Sequence, residues 1–178
     1  MMSLVGKIAR RFKKDETGHV TVEFAVMVPV FLVLLLSSVE AGMLNLRNSF
    51  LERALDVVVR DIRLGTGYEP THDEIRDRIC EEAHFIPNCT SNLMLEMIQL
   101  NPRAWTGVPP GATCTNRAEE VQPVTEFHAG ESNELMILRA CAKTEPLFPT
   151  TGLGYHLVKD SAGDVSMIAI SAFVQEPK

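Results

Sequence analysis

Between Val20 and Val39 the chain reads VTVEFAVMVPVFLVLLLSSV, twenty residues with Glu23 as the single charge. A helix rises about 1.5 Å per residue, so this run is long enough to cross a hydrocarbon core of about 30 Å. The stretch Ala25–Leu36 has no polar side chain at all. The core helix of a soluble protein can be equally apolar, but here five cations stand just before the run: Lys7, Arg10, Arg11, Lys13 and Lys14. Lys and Arg on one flank set orientation, with the cationic side in the cytoplasm. The expectation is a single-pass membrane protein with a cytoplasmic leader over 1–18, a transmembrane helix over 19–39 and the remainder outside. A cleavable secretory signal fits less well. Its apolar core is shorter and ends at an Ala-x-Ala-like site, whereas this run leaves through Ser37-Ser38-Val39-Glu40-Ala41-Gly42 and flows straight into an amphipathic pattern.

Charge separates the two sides. Five cations against Asp15 and Glu16 give residues 1–18 a net +3, which leaves −9 for the rest of a chain whose total is −6. Nucleic-acid binding needs a basic face that displaces counterions from phosphates, so an acidic exterior argues against it. The plain meaning of that balance is solubility.

Two residues inside the run are unusual for a membrane helix. Pro29 has no N–H to donate and is expected to kink or loosen one turn. A charge at the bilayer centre costs roughly 2.5–3.5 kcal/mol on insertion scales, and less near an interface. Glu23 therefore has two readings: it snorkels to the headgroups, or it pairs with a specific partner.

Gly18 is followed by His19-Val20-Thr21-Val22-Glu23-Phe24. A basic tail, a glycine, a glutamate five residues later and a long apolar helix resemble the class III leader of type IV prepilins. The wider run RRFKKDETGHVTVEFAVMVPVFLVLLLSSVEAG resembles the TadE/TadF family, minor pseudopilins of the tight adherence (Tad, or Flp) pilus system. That resemblance covers roughly residues 7–65 and implies the following. Gly18 precedes the scissile bond, His19 becomes the new N-terminus, and a membrane prepilin peptidase makes the cut. Gly18, His19, Glu23 and Phe24 form the processing site, while Glu23 and Pro29 serve assembly. Phe24 stands where the major pilin of such systems commonly has Tyr, which argues for a minor subunit. The implied partners are membrane lipid, the peptidase, other Tad pilins and pseudopilins, and the Tad inner-membrane platform. The implied location is the bacterial inner membrane, with the C-terminal domain in the periplasm.

Beyond the run, Met43, Leu46, Phe50, Ala54 and Val57 recur at helical spacing, with Leu44, Leu51, Leu55, Val58 and Ile62 alongside and Arg47, Arg60 and Arg63 among the remaining positions. Gly65 and Gly67 supply a stop, which makes 40–65 an amphipathic extension of the anchor. Residues 66–178 then form one small periplasmic domain. A helix is expected over His72–His84, with Glu69-Pro70-Thr71 as turn and cap. Strands are expected over Leu93–Leu100, Glu134–Ala142 and Val165–Val174. A long excursion over Asn101–Gly130 and a second loop marked by Pro146, Pro149, Gly152 and Gly154 separate them. The fold class is α+β: an antiparallel sheet resting on a long N-terminal helix, in a pilin-like arrangement.

Cys80, Cys89, Cys114 and Cys141 all fall outside the membrane, where an even count implies disulfides. Three pairings exist. The preferred one closes a short helix-to-strand loop with Cys80–Cys89 and ties the long excursion to a strand with Cys114–Cys141. Metal is the competing use, with His72 and His84 near Cys80 and Cys89, but no Cys-x2-Cys pair is present and the spacings fit no zinc pattern. Gly65-Thr66-Gly67 and Gly152-Leu153-Gly154 lack the third glycine of a phosphate loop, and no Gly-x-Ser-x-Gly or His-Glu-x-x-His occurs. Trp105, the single tryptophan, reads as packing or a loop plug. No catalytic residue, metal or cofactor is expected. The leading function is a minor pseudopilin or assembly component. The alternative is an uncleaved, membrane-tethered binding or sensor module.

Overall fold

The computed structural model describes residues 19–64, 70–104, 108, 110–119 and 121–177. Its spine is α1, His19–Leu64, one helix of 46 residues that runs about 69 Å at 1.5 Å per residue. Pro29 lies inside it, and the helix continues through that point. Toward its start α1 touches almost nothing: Val20, Phe24, Met27, Phe31 and Leu34 are all more than 60 % exposed. The second half is the floor of a small domain.

A capping box starts α2, His72–Glu82: the Thr71 hydroxyl accepts from the Glu74 N–H while the Glu74 carboxylate accepts from the Thr71 N–H. Ile75 and Ile79 face inward. The helix stops at Glu82, two residues short of the expected His84, because the chain must turn back for Cys89 to reach Cys80. A short helical turn, α3 (Cys89–Asn92), leads into β1 (Leu93–Leu100). After a long connection come β2 (Leu135–Thr144), a short helix α4 (Gly152–His156) and β3 (Val165–Val174).

The sheet has the order β1-β2-β3 and both pairings are antiparallel. Against the expected Glu134–Ala142, β2 begins one residue later and extends to Thr144, pairing Lys143 with Ser166 and Thr144 with Val165. A lysine is tolerated there because Asp160 meets its ammonium at 2.7 Å.

Period-two alternation gives the sheet two faces. Leu93, Leu95 and Met97 on β1, Met136, Leu138, Ala140 and Ala142 on β2, and Met167, Ala169 and Phe173 on β3 join the core against α1 and α2. On α1 the core line is Leu51, Leu55, Val58 and Ile62, flanked by Ala54 and Val59. Of the neighbouring line read from the sequence, Ala54 is buried while Leu46 and Val57 stay 38 % exposed. Both lines have helical spacing, and only the seat of the sheet selects between them.

Both expected disulfides are present, Cys80–Cys89 and Cys114–Cys141. The long excursion is tied down by Cys114 and also by a parallel bridge in which the Met97 N–H donates to the Glu126 carbonyl at 3.0 Å and the His128 N–H to the Met97 carbonyl at 3.2 Å. Gly65, Gly67, Glu69 and Trp105, to which the sequence reading gave stop, turn and packing roles, lie outside the described residues, as does the leader with Gly18.

Candidate assembly site and the clasp above it

Glu23 and Phe24 lie near the start of α1 on its exposed surface, and Pro29 follows within two turns. His19 opens the helix. The structure thus places three of the expected assembly and processing residues, Glu23, Phe24 and Pro29, on one rod that no other described element covers. Gly18 is outside the described residues. The rod is long and apolar enough to cross a membrane, by length and composition.

Where that rod leaves its apolar stretch, a second acid behaves very differently. Glu40 is 1 % exposed. Its carboxylate accepts from the backbone N–H of Leu147 at 3.1 Å and of Phe148 at 2.8 Å. One turn below, the Ser37 hydroxyl donates to the Val33 carbonyl at 2.7 Å and accepts from the Leu153 N–H at 3.1 Å. About two turns above, the Arg47 guanidinium, 9 % exposed, donates to the Glu145 carbonyl at 3.2 Å. Ser37, Glu40 and Arg47 thus hold the β2–β3 connection along the flank of α1. The fit is tight enough to require glycine. Gly152 has φ +52, and a Cβ there would strike the Ser37 hydroxyl, while a Cβ at Gly154 would strike the Phe148 carbonyl.

In the sequence Arg47 stands only among the positions outside the apolar pattern, and Glu40 has no task of its own. Their partners are backbone groups about a hundred residues away, which leave no pattern in a sequence. Hydrogen bonds to a charged group contribute about 1.5–3 kcal/mol, and leaving a buried donor unpaired costs about 1–3 kcal/mol. Glu40→Ala is therefore expected to free this connection from α1. Hydrogen exchange at Leu147 and Phe148 checks this, with protection falling by about tenfold or more. Unchanged protection would show that the clasp does not hold the loop.

On the opposite face of the sheet, ion pairs fasten the remaining loops. Glu96 and Arg139 stand directly opposite each other on β1 and β2. They form a buried pair at 2.5 Å, with side chains 8 % and 5 % exposed. The Arg139 guanidinium also donates to the Gly111 carbonyl, and Glu96 accepts from the Thr113 N–H at 3.0 Å. Together they bound a cavity of about 410 Å³ between the sheet and residues 110–113. Two residues along β2, Cys141 anchors the same segment through Cys114. Arg117 joins the fully buried Asp164 side chain to Glu145. Asp160 binds Lys143 and accepts from the N–H groups of Ala162 and Asp164 at 3.0 and 2.9 Å. Burial works to raise the Asp160 pKa, but the Lys143 ammonium and those two N–H groups outweigh it and hold the carboxyl below its ordinary range.

Among the described residues no group of three or more His, Cys, Asp or Glu is arranged to hold a metal ion. The cysteines are all in disulfides, and His72 instead packs edge-on against Phe127 and contacts Asp73 at 3.1 Å.

Residues 18–60 match the family model of TadE-like protein. The match covers the anchor and most of α1, and stops before the sheet. No curated protein and no solved structure matches the chain.

Proposed function

Because residues 18–60 are TadE-like, consistent with a TadE-like protein of the Tad pilus system, we propose that this chain is a minor pseudopilin or assembly component of a Tad-type pilus. On this reading it enters the inner membrane with its leader in the cytoplasm and its sheet domain in the periplasm. A prepilin peptidase cuts after Gly18. The chain works by lateral packing of α1 with other Tad pilins and pseudopilins on the inner-membrane platform, without catalysis of its own. The observation that carries the reading is α1 itself. Its bare apolar half, with one acid near the start, and its domain-bearing half are a single uninterrupted helix.

The chemistry at the start of α1 supports the same role. Cleavage leaves His19 with a free α-amine, whose reference pKa is about 7.7–8.0. In a low-dielectric helix bundle that cation needs a partner, and Glu23 of a neighbouring subunit provides one. A buried pair breaks severely when one member is lost, at about 3–5 kcal/mol, because the other charge is left uncompensated. Glu23→Gln keeps shape and lowers the cost of insertion, so the protein remains in the membrane. Assembly is expected to fall about a hundredfold or more. Filaments sheared from cells and quantified against membrane-extracted protein measure this. Normal piliation with Glu23→Gln would leave Glu23 as an interfacial residue and favour the alternative, an uncleaved tether whose work is done by the outer domain.

A further inference from the structure

We propose that the β2–β3 connection is a membrane-contacting collar. Residues 146–159 sit in the interfacial layer of the leaflet facing the sheet domain and set the height and tilt of that domain over the bilayer. The proposal rests on α1 being membrane-embedded, but on neither cleavage nor pilus assembly.

Position along the rod puts the connection at the membrane. A hydrocarbon core of about 30 Å entered at Val20 is left after about twenty residues, near Val39. The Leu153 N–H meets Ser37, and Gly152 lies against the Val33 carbonyl. These contacts fall about 3 Å and about 9 Å short of that exit. Any bilayer that accommodates the apolar half of α1 therefore has its near headgroup region at the level of α4.

Backbone chemistry is compatible with that depth. Irregular backbone is tolerated at membrane depth only where its polar groups are satisfied from within the protein. Pro146 and Pro149 have no N–H to satisfy. Leu147 and Phe148 donate to Glu40, Thr151 to the Phe148 carbonyl, and Leu153 to Ser37.

The side chains suit the same surroundings. Leu147 is 41 %, Tyr155 65 % and Val158 91 % exposed. An aromatic residue with a polar tip beside aliphatic ones is the composition favoured at a membrane interface. The stretch 146–159 contains no acid in a domain that is otherwise strongly acidic, and it carries His156 and Lys159. An anionic bilayer surface therefore meets no like charge within this stretch.

The experiment uses the full chain reconstituted in phosphatidylethanolamine/phosphatidylglycerol vesicles with and without brominated acyl chains. The chain's own tryptophan is removed by Trp105→Phe, and one tryptophan is placed at a time. Val30→Trp reports the spanning half of α1 and Tyr155→Trp the collar. Phe85→Trp reports a site that packs on Phe50, about 15 Å further up the helix than Glu40. Brominated lipid is expected to remove most of the emission from the Val30→Trp and Tyr155→Trp proteins and none from the Phe85→Trp protein. Quenching at Val30→Trp without quenching at Tyr155→Trp overturns the collar and leaves the anchor standing. Absence of quenching at both overturns the anchor and the collar with it. A Tyr155→Trp signal that responds to protein density but not to bromine also overturns the proposal, since the patch is then covered by another protein.

Discussion

Arg139→Met is expected to destabilise the outer domain by about 3–5 kcal/mol, because it strands the Glu96 carboxylate inside the structure without its cation. Glu96 keeps the Thr113 N–H, which offsets only part of that loss. The Gly111 carbonyl loses its guanidinium donor as well. Replacing both partners, Arg139→Met with Glu96→Leu, is expected to recover most of the stability, since a buried ion pair and a well-packed apolar pair of similar volume are often nearly equivalent. Denaturant unfolding of the full chain in detergent micelles, followed by circular dichroism, measures both. The distinguishing quantity is the coupling between the two substitutions. Additive losses would mean that each side chain stabilises the sheet through separate contacts, and the cross-strand pair would not be the unit described here.

Opening Cys114–Cys141 is the second large effect. The bond spans 27 residues, and the loop-closure estimate for that length is about 3.5 kcal/mol, against about 2.6 kcal/mol for the nine-residue loop of Cys80–Cys89. Its removal by Cys114→Ser with Cys141→Ser is expected to cost more than the corresponding change at Cys80 and Cys89. The difference should exceed the loop-length difference, because Cys114 also holds residues 110–113 over the Glu96–Arg139 pair. Thermal unfolding of the two double variants under identical conditions gives the comparison. A larger loss from the short loop would show that the stability of α2, not the excursion, limits the domain.

These two sites mark the boundary of what could be read from residues alone. Leu93–Leu100 and Val165–Val174 were legible as strands because each is a dense apolar run bounded by turn chemistry. Of the three disulfide pairings the sequence allows, the preferred one, a short helix-to-strand loop closed by Cys80–Cys89 with Cys114–Cys141 on the excursion, is the one present. Glu96 and Arg139 were each visible as the charge inside an apolar strand, yet nothing local says that residues 43 positions apart stand opposite; that requires the register. Glu40 was harder still. It was visible as the acid that ends the apolar run, but its partners are the backbone N–H groups of Leu147 and Phe148, and backbone donors are present at nearly every position. On α1, apolar residues lie on two adjacent lines. The line that includes Leu51, Leu55, Val58 and Ile62 became core only because the sheet docks there.

At the start of α1 the balance is reversed. The Gly18-to-Glu23 spacing, the basic leader and Pro29 are patterns in sequence, and the structure adds chiefly that Glu23, Phe24 and Pro29 share a bare, continuous helix. The processing reading is a statement about a covalent bond, and chemistry rather than geometry tests it. The most direct measurement is the intact mass and N-terminal residue of the protein isolated from native membranes, in cells with and without their prepilin peptidase. The account predicts a chain beginning at His19 in the first and a chain retaining residues 1–18 in the second. A leader retained in both would contradict it, and the anchor would then be a permanent tether.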